Sequence, residues 1–205
     1  MSVEPRVAGR RYNSSMPHEL HPAVFLDRDN TLIADPGYIS DPADVRLLPG
    51  AAEAVRRIRA AGYRAVVVTN QSGVARGRIT EAQLEAVHLR LRALLRGERA
   101  ELDAIYVCPY LDGPEAVVAA YRRDSDLRKP RPGMLLLAAR ELGLDLPHSW
   151  MIGDSPRDVE AGRAAGCRTI LISAEARPLP PGMPPPDQVA RDLAAAVGYI
   201  IAQGV

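Results

Sequence analysis

Asp27 and Asp29 stand one residue apart, directly after the apolar run Ala23-Val24-Phe25-Leu26. Strand side chains alternate, so in an extended chain both carboxylates fall on the same side. Two like charges at the end of a buried strand repel each other unless something positive lies between them. A hard divalent cation with oxygen ligands, Mg²⁺ above all, meets that need. Taken alone, D-x-D equally describes two polar residues where a strand meets a loop, so its companions decide. There are three. Thr69-Asn70 ends the β-branched run Val66-Val67-Val68, Lys129 sits within Arg128-Lys129-Pro130-Arg131-Pro132, and Gly153-Asp154 ends a further apolar run, with Asp158 four residues on. Each has a plainer reading. Lys129 could be a surface lysine, Thr69 could cap a strand, and an acid such as Asp158 near a helix start is favoured by the helix dipole as well as by a metal site.

These groups converge only if the chain folds so that the ends of several strands share one rim. Short apolar runs bounded by turn residues predict strands at residues 23–26, 64–70, 102–108, 149–153 and 168–173. Helical spacing falls between them. Ala51, Val55 and Ile58 lead to Gly62; Thr80 with Gln83 makes a capping box ahead of Leu84, Val87, Leu91 and Leu94; Pro132 opens a helix that Gly143 closes; Ser155 and Pro156 open one that Gly166 closes. Alternating strands and helices predict an α/β fold, a doubly wound, Rossmann-like parallel sheet of about five strands. In such a sheet all strands end on one edge, where ligands bind. Three regions are expected: a mobile N-terminal tail over residues 1–21, one domain over 22–175, and a tail segment over 176–205. In the last, a proline-rich connector (Pro178 to Pro186) precedes a docked helix capped by Asp187, with the stripe Val189, Leu193, Ala196 and Ile200.

The bulk composition excludes several classes. Twenty-six basic and 25 acidic residues nearly cancel, to +1, giving no reason to expect nucleic acid or an anionic membrane as partner. Two cysteines, Cys108 and Cys167, are too few for a disulfide framework. The first 22 residues hold no signal-peptide core, and the apolar stretch from Leu193 to Ala202 is too short to span a bilayer. A cytoplasmic, monomeric protein is the expectation.

The four pieces, in this order, resemble the haloacid-dehalogenase (HAD) superfamily of phosphohydrolases over roughly residues 22–175. The resemblance implies a HAD fold with Asp27 as nucleophile and Asp29 as general acid and base. It further implies Mg²⁺ held by Asp27, the main-chain carbonyl of Asp29, and Asp154, with Asp158 in support. Thr69 and Asn70 would donate to the phosphoryl oxygens, and Lys129 would add a fixed positive charge. The chemistry is consistent: a phosphomonoester is a poor electrophile because its oxygens are negative, so a catalyst must supply in-line positioning and positive charge. The segments 29–50 and 70–129 leave no room for a large cap domain.

Local sequence narrows the resemblance. Asp27-Arg28-Asp29, Asp35-Pro36-Gly37-Tyr38, Thr69-Asn70-Gln71-Ser72-Gly73-Val74-Ala75-Arg76-Gly77 and Arg128-Lys129-Pro130 are similar to the D-glycero-D-manno-heptose 1,7-bisphosphate phosphatases, relatives of the histidinol-phosphate phosphatases. By that match Asp35, Gly37, Tyr38, Asn70, Gln71, Ser72 and Arg76 would line a substrate pocket, and Arg128 would contact a second phosphate. The family pattern commonly carries a structural zinc on C-x-H and C-x-C. Here Cys108 remains, but Tyr110, Ser125 and Leu127 replace its partners, and one thiol cannot make a four-ligand site, so no zinc is expected. Asn30 also stands where the family usually has glycine. Histidinol phosphate or another small sugar phosphate is the alternative substrate. A catalytically silent binding protein is the alternative outside enzymes, and it would be expected to have lost a carboxylate or Lys129.

Overall fold

The computed structural model describes residues 20–174, 182 and 184–204. Six strands form one sheet: β1 (Ala23–Leu26), β2 (Arg64–Asn70), β3 (Ala104–Cys108), β4 (Trp150–Gly153), β5 (Arg168–Ile172) and β6 (Gln188–Ala190). They pair in parallel in the order β3-β2-β1-β4-β5-β6. Five α-helices complete the framework: α1 (Ala51–Ala60), α2 (Glu81–Gly97), α3 (Gly133–Leu142), α4 (Pro156–Ala164) and α5 (Leu193–Gln203).

All four β1 residues are fully buried, because helices cover both sheet faces; this is why a parallel strand reads as a continuous apolar run instead of alternating. Val24 and Leu26 pack with Val55, Ile58, Leu91, Leu193 and Ile200 on one face. Phe25 packs with Met134, Leu135, Met151 and Ala161 on the other. Local signals place the helices. Thr80 Oγ1 accepts from Gln83 N (3.1 Å) while Thr80 N donates to Gln83 Oε1 (2.9 Å), capping α2 from both sides. Gly143 ends α3 in the left-handed region, at φ 64°, which a residue without Cβ adopts at no steric cost.

The C-terminal segment corrects the sequence reading. Asp187 does not cap a helix. Its carboxylate accepts from Thr169 N (2.8 Å) and Thr169 Oγ1 (2.9 Å), laying the next residues beside β5 as a sixth strand. Three residues are too few for strand periodicity to be read from sequence. Asp192 is the cap, accepting from Ala195 N at 2.7 Å. Val189 lies on β6 and is 46% exposed, whereas Leu193, Ala196 and Ile200 are buried. Two smaller shifts accompany this: β3 starts at Ala104, after Asp103, whose carboxylate accepts from Arg59, Arg64 and Ala65 N, and Leu95 rather than Leu94 completes the buried stripe of α2. Residues 1–19 of the expected tail and most of the proline-rich connector (175–181 and 183) lie outside the described residues. His21 is tied to the fold, donating from N to Gly143 O and accepting from Asp145 N. Residues 29–50 and 70–129 contain only framework elements and two short 3₁₀ turns, so no separate cap domain covers the sheet edge among the described residues.

Candidate active site

The strand order reverses at β1, which pairs with β2 on one side and β4 on the other. A crevice at such a reversal is where open α/β sheets bind ligands. Register brings the candidate groups there: Leu26 lies opposite both Val67 and Ile152, so Asp27 emerges beside Val68 and Gly153, its N–H donating to Ile152 O at 2.9 Å.

Lys129 occupies the centre. Its ammonium lies 2.8 Å from Asp27 Oδ1, 2.6 Å from Asp158 Oδ1 and 2.8 Å from Val68 O, and the side chain is 3% exposed. Burial alone would lower its pKa, but Asp27 and Asp158 carry it above the ordinary lysine value. Burial pushes the Asp27 carboxyl up to about 7 against the pull of Lys129, with repulsion from Asp158 adding to it. Asp158 and Asp154 are also raised, chiefly by burial. Burial thus opposes ionising these carboxyls, and the one ammonium does not offset it for all of them.

Asp27, Asp154 and Asp158 offer carboxylate oxygens within 4.8 Å of one another. With all three ionised, three carboxylates against one ammonium would leave two net negative charges. Hard oxygen donors with that charge fit a divalent cation of the Mg²⁺ type. Asp158 does double duty, as its Oδ2 also accepts from Ser155 N at 3.1 Å and so caps α4. The carboxylate comes so close to β4 that a Cβ built on Gly153 would lie 2.2 Å from Asp158 Oδ2. Glycine at 153 is thus required by the acid it makes room for. Asn30 takes a left-handed conformation, φ 55°, and its amide hydrogen-bonds Asp154, which opposes the upward shift there.

Asp29 lies on the same rim, with Arg28 Nε donating to Oδ1 (2.8 Å) and Gln71 Nε2 donating to Oδ2 (2.8 Å). Gln71 Nε2 also donates to Thr69 Oγ1 at 2.9 Å, which leaves the buried Thr69 hydroxyl free to give its own proton. Asn70 has a second role beside the expected phosphoryl contact. One N–H of its amide donates to Lys129 O (3.0 Å) and its oxygen accepts from Lys129 N (3.1 Å), so it pins the segment that delivers the ammonium.

The outer wall gathers the remaining candidates. Asp35 Oδ1 accepts from Gly37 N at 2.9 Å and shapes the turn. Tyr38 is 39% exposed with the Arg78 guanidinium 4.9 Å above its ring. Tyr38 lies so close to the loop after β2 that a Cβ on Gly73 would fall 2.7 Å from it. Ser72 O accepts from Arg76 N, and Arg76 pairs with Glu115 at 2.5 Å. Arg128 NH1 donates to Tyr110 O at 3.2 Å; after burial, the nearness of Arg157 and Arg76 presses its pKa down. Arg157, Glu115 and Arg28 were not singled out from sequence. Arg28 alone carried a signal, its place between two aspartates.

Tyr110 fills the loop where the resemblance would put a zinc ligand. It is 6% exposed, with the Arg123 guanidinium 3.7 Å over its ring and the Tyr121 ring at 6.3 Å. Cys108 Sγ donates to Tyr110 O at 3.9 Å, and burial raises the thiol's pKa.

A parallel sheet with acids at the ends of β1 and β4 and a buried lysine between them defines a class, that of HAD-like hydrolases, and a family described as HAD-hydrolase-like matches residues 126–196. A HAD-like phosphatase from Mesorhizobium loti shares the fold at TM-score 0.79 and 35% identity, covering 95% of this chain and 93% of that one. A D,D-heptose 1,7-bisphosphate phosphatase from B. bronchiseptica, complexed with magnesium and phosphate, aligns at TM-score 0.73 and 32% identity, over 89% and 99% of the two chains. Among curated proteins, D-glycero-D-manno-heptose-1,7-bisphosphate 7-phosphatase of Thermosynechococcus vestitus is 45% identical, covering 87% of this chain and 95% of the relative. The D-glycero-beta-D-manno-heptose-1,7-bisphosphate 7-phosphatase of Escherichia coli is 40% identical, over 78% and 83%. The chain belongs to this phosphatase family within the HAD-like hydrolases. No helix among the described residues is long and apolar enough to cross a membrane.

Proposed function

We propose that the protein is a Mg²⁺-dependent phosphomonoesterase that removes the 7-phosphate of D-glycero-D-manno-heptose 1,7-bisphosphate through an aspartyl-phosphate. The observation that carries this reading is the buried ammonium of Lys129 held between Asp27 and Asp158 at the end of β1. Asp27 is placed to attack phosphorus, forming an acyl-phosphate bond as the ester P–O bond breaks and splitting one hard step into two. Asp29 gives the leaving alkoxide its proton, then takes one from the water that cleaves the acyl phosphate and releases inorganic phosphate. Lys129 and the free Thr69 hydroxyl supply positive charge and a hydrogen bond to the phosphoryl oxygens. Asp27, Asp154 and the Asp29 main-chain carbonyl would hold Mg²⁺, with Asp158 supporting. When bound, the ion screens the carboxylate from the negatively charged phosphoryl group.

Arg128 supports the bisphosphate preference. It is half-buried, anchored to Tyr110 O, and near Arg76 and Arg157; a guanidinium can bind two phosphate oxygens at once. Arg128→Ala is expected to lower kcat/KM for sugar bisphosphates by roughly 10- to 100-fold, the value of one or two charge-assisted hydrogen bonds. Sugar monophosphates should change little. Equal losses on both classes would remove Arg128 from recognition of the distal phosphate.

The Tyr110 cluster supports a loop closed without zinc. The Tyr110 ring, packed against a guanidinium and a second aromatic, occupies a ligand position with a side chain that cannot coordinate as a histidine would. Metal analysis of the purified protein is expected to find no stoichiometric zinc, and one tightly held equivalent would overturn this reading.

A further inference from the structure

Arg28 and His88 form a buried polar pair behind Asp29. Arg28 is 1% exposed and His88 6%. One edge of the guanidinium grips Asp29, with Nε–Oδ1 at 2.8 Å and NH2–Oδ2 at 3.1 Å. The remaining nitrogen, NH1, lies 3.1 Å from His88 Nε2. We propose that His88 is a positioning residue for Asp29: it fixes the Arg28 guanidinium, whose rigid fork in turn fixes the carboxylate. The proposal rests on the reading of Asp29 as the proton donor to the leaving group.

The chemistry of the pair leaves one arrangement. A guanidinium only donates, so His88 Nε2 must accept and the ring proton must sit on Nδ1. Burial, then the charges of Arg28 and Arg92, push the His88 pKa down to about 3, so the ring is a neutral acceptor throughout the neutral range. At these depths no water replaces a lost partner, and an unpaired buried donor is costly. His88 belongs to α2, on the buried side with Leu84, Val87, Leu91 and Leu95. Packing on that side needs only an apolar residue, so the imidazole is explained by its acceptor nitrogen. A general acid works only within hydrogen-bond reach of the atom it protonates, so an Arg28 free to rotate would let Asp29 drift.

Leaving-group dependence tests this. The alkoxide of heptose 1,7-bisphosphate needs a proton, whereas the nitrophenolate of p-nitrophenyl phosphate does not. His88→Leu is expected to lower kcat/KM on the bisphosphate by roughly 10-fold or more, a part of what general acid catalysis supplies. kcat/KM on p-nitrophenyl phosphate should be nearly unchanged, because it reports only the steps up to release of the leaving group and omits the later water attack that Asp29 also serves. His88→Gln places an amide oxygen near the Nε2 position and is expected to recover most of the loss. Equal losses on both esters, no loss, or no rescue by glutamine would overturn the proposal. Asp29→Asn, run alongside, separates the two readings. Should it show no ester selectivity, the acid role of Asp29 fails; should it show selectivity that His88→Leu lacks, His88 alone fails. ¹⁵N resonances of the wild-type imidazole give a readout independent of any variant's folding. A proton on Nδ1 with an accepting Nε2 is expected, and a proton on Nε2 would overturn the proposal.

Discussion

Asp27→Asn is expected to lower kcat by roughly 10⁴-fold or more, on the scale of removing other catalytic nucleophiles, while the protein stays folded. An amide oxygen is isosteric with the carboxylate oxygen but does not form the acyl phosphate. Nothing else in the site needs to move. The amide oxygen can still accept from Lys129 Nζ, which lies 2.8 Å from Asp27 Oδ1. Removing one negative charge from the cluster of Asp27, Asp154 and Asp158 relieves repulsion, so thermal stability should hold or rise. Steady-state phosphate release and a thermal melt check both halves. Activity within tenfold of wild type would remove Asp27 as nucleophile.

Lys129→Met is expected to damage fold and reaction together, unlike Asp27→Asn. Methionine keeps much of the apolar stem but deletes the charge between two buried carboxylates. Asp158, with a side chain 2% exposed, would then face Asp27 without a counter-ion. Breaking a buried pair by removing one partner costs about 3–5 kcal/mol. Val68 O would also lose the donor that now reaches it at 2.8 Å. Removing one such donor from a developing phosphoryl charge costs on the order of 10²–10³ in kcat. Urea unfolding and kcat measured on one preparation test the pair of effects. A stability loss under about 1 kcal/mol, the value of an exposed pair, would mean that Lys129 is not the electrostatic centre described.

The contrast between these two variants mirrors what the sequence made legible. Asp27, Asp29, Lys129 and Asp154 could be read because each stands at a strand end or in a distinctive short run, and a parallel sheet sends such ends to one rim. The capping box of Thr80 and Gln83 was legible for a different reason: its geometry is local, within one helical turn. Asn70 shows where this stops. Its residue type suits a phosphate contact, but its amide also bonds the backbone of Lys129, 59 positions away, and no local pattern announces that second role. Arg28 and His88, 60 positions apart, are hidden for the same reason. Asp187 misled because an acid after prolines ahead of an apolar stretch looks like a helix cap. The competing partner, Thr169 on β5, appears only once the sheet has formed.

The proposed activity is that of a phosphatase selective for a heptose bisphosphate. The most direct measurement is Mg²⁺-dependent phosphate release from both anomers of D-glycero-D-manno-heptose 1,7-bisphosphate, from histidinol phosphate and from several hexose phosphates, with Asp27→Asn as the blank. kcat/KM for a heptose bisphosphate is expected to stand far above the rest, and the phosphate lost is expected to be the one at carbon 7. Weak and even release across the panel, or a preference for histidinol phosphate, would contradict it.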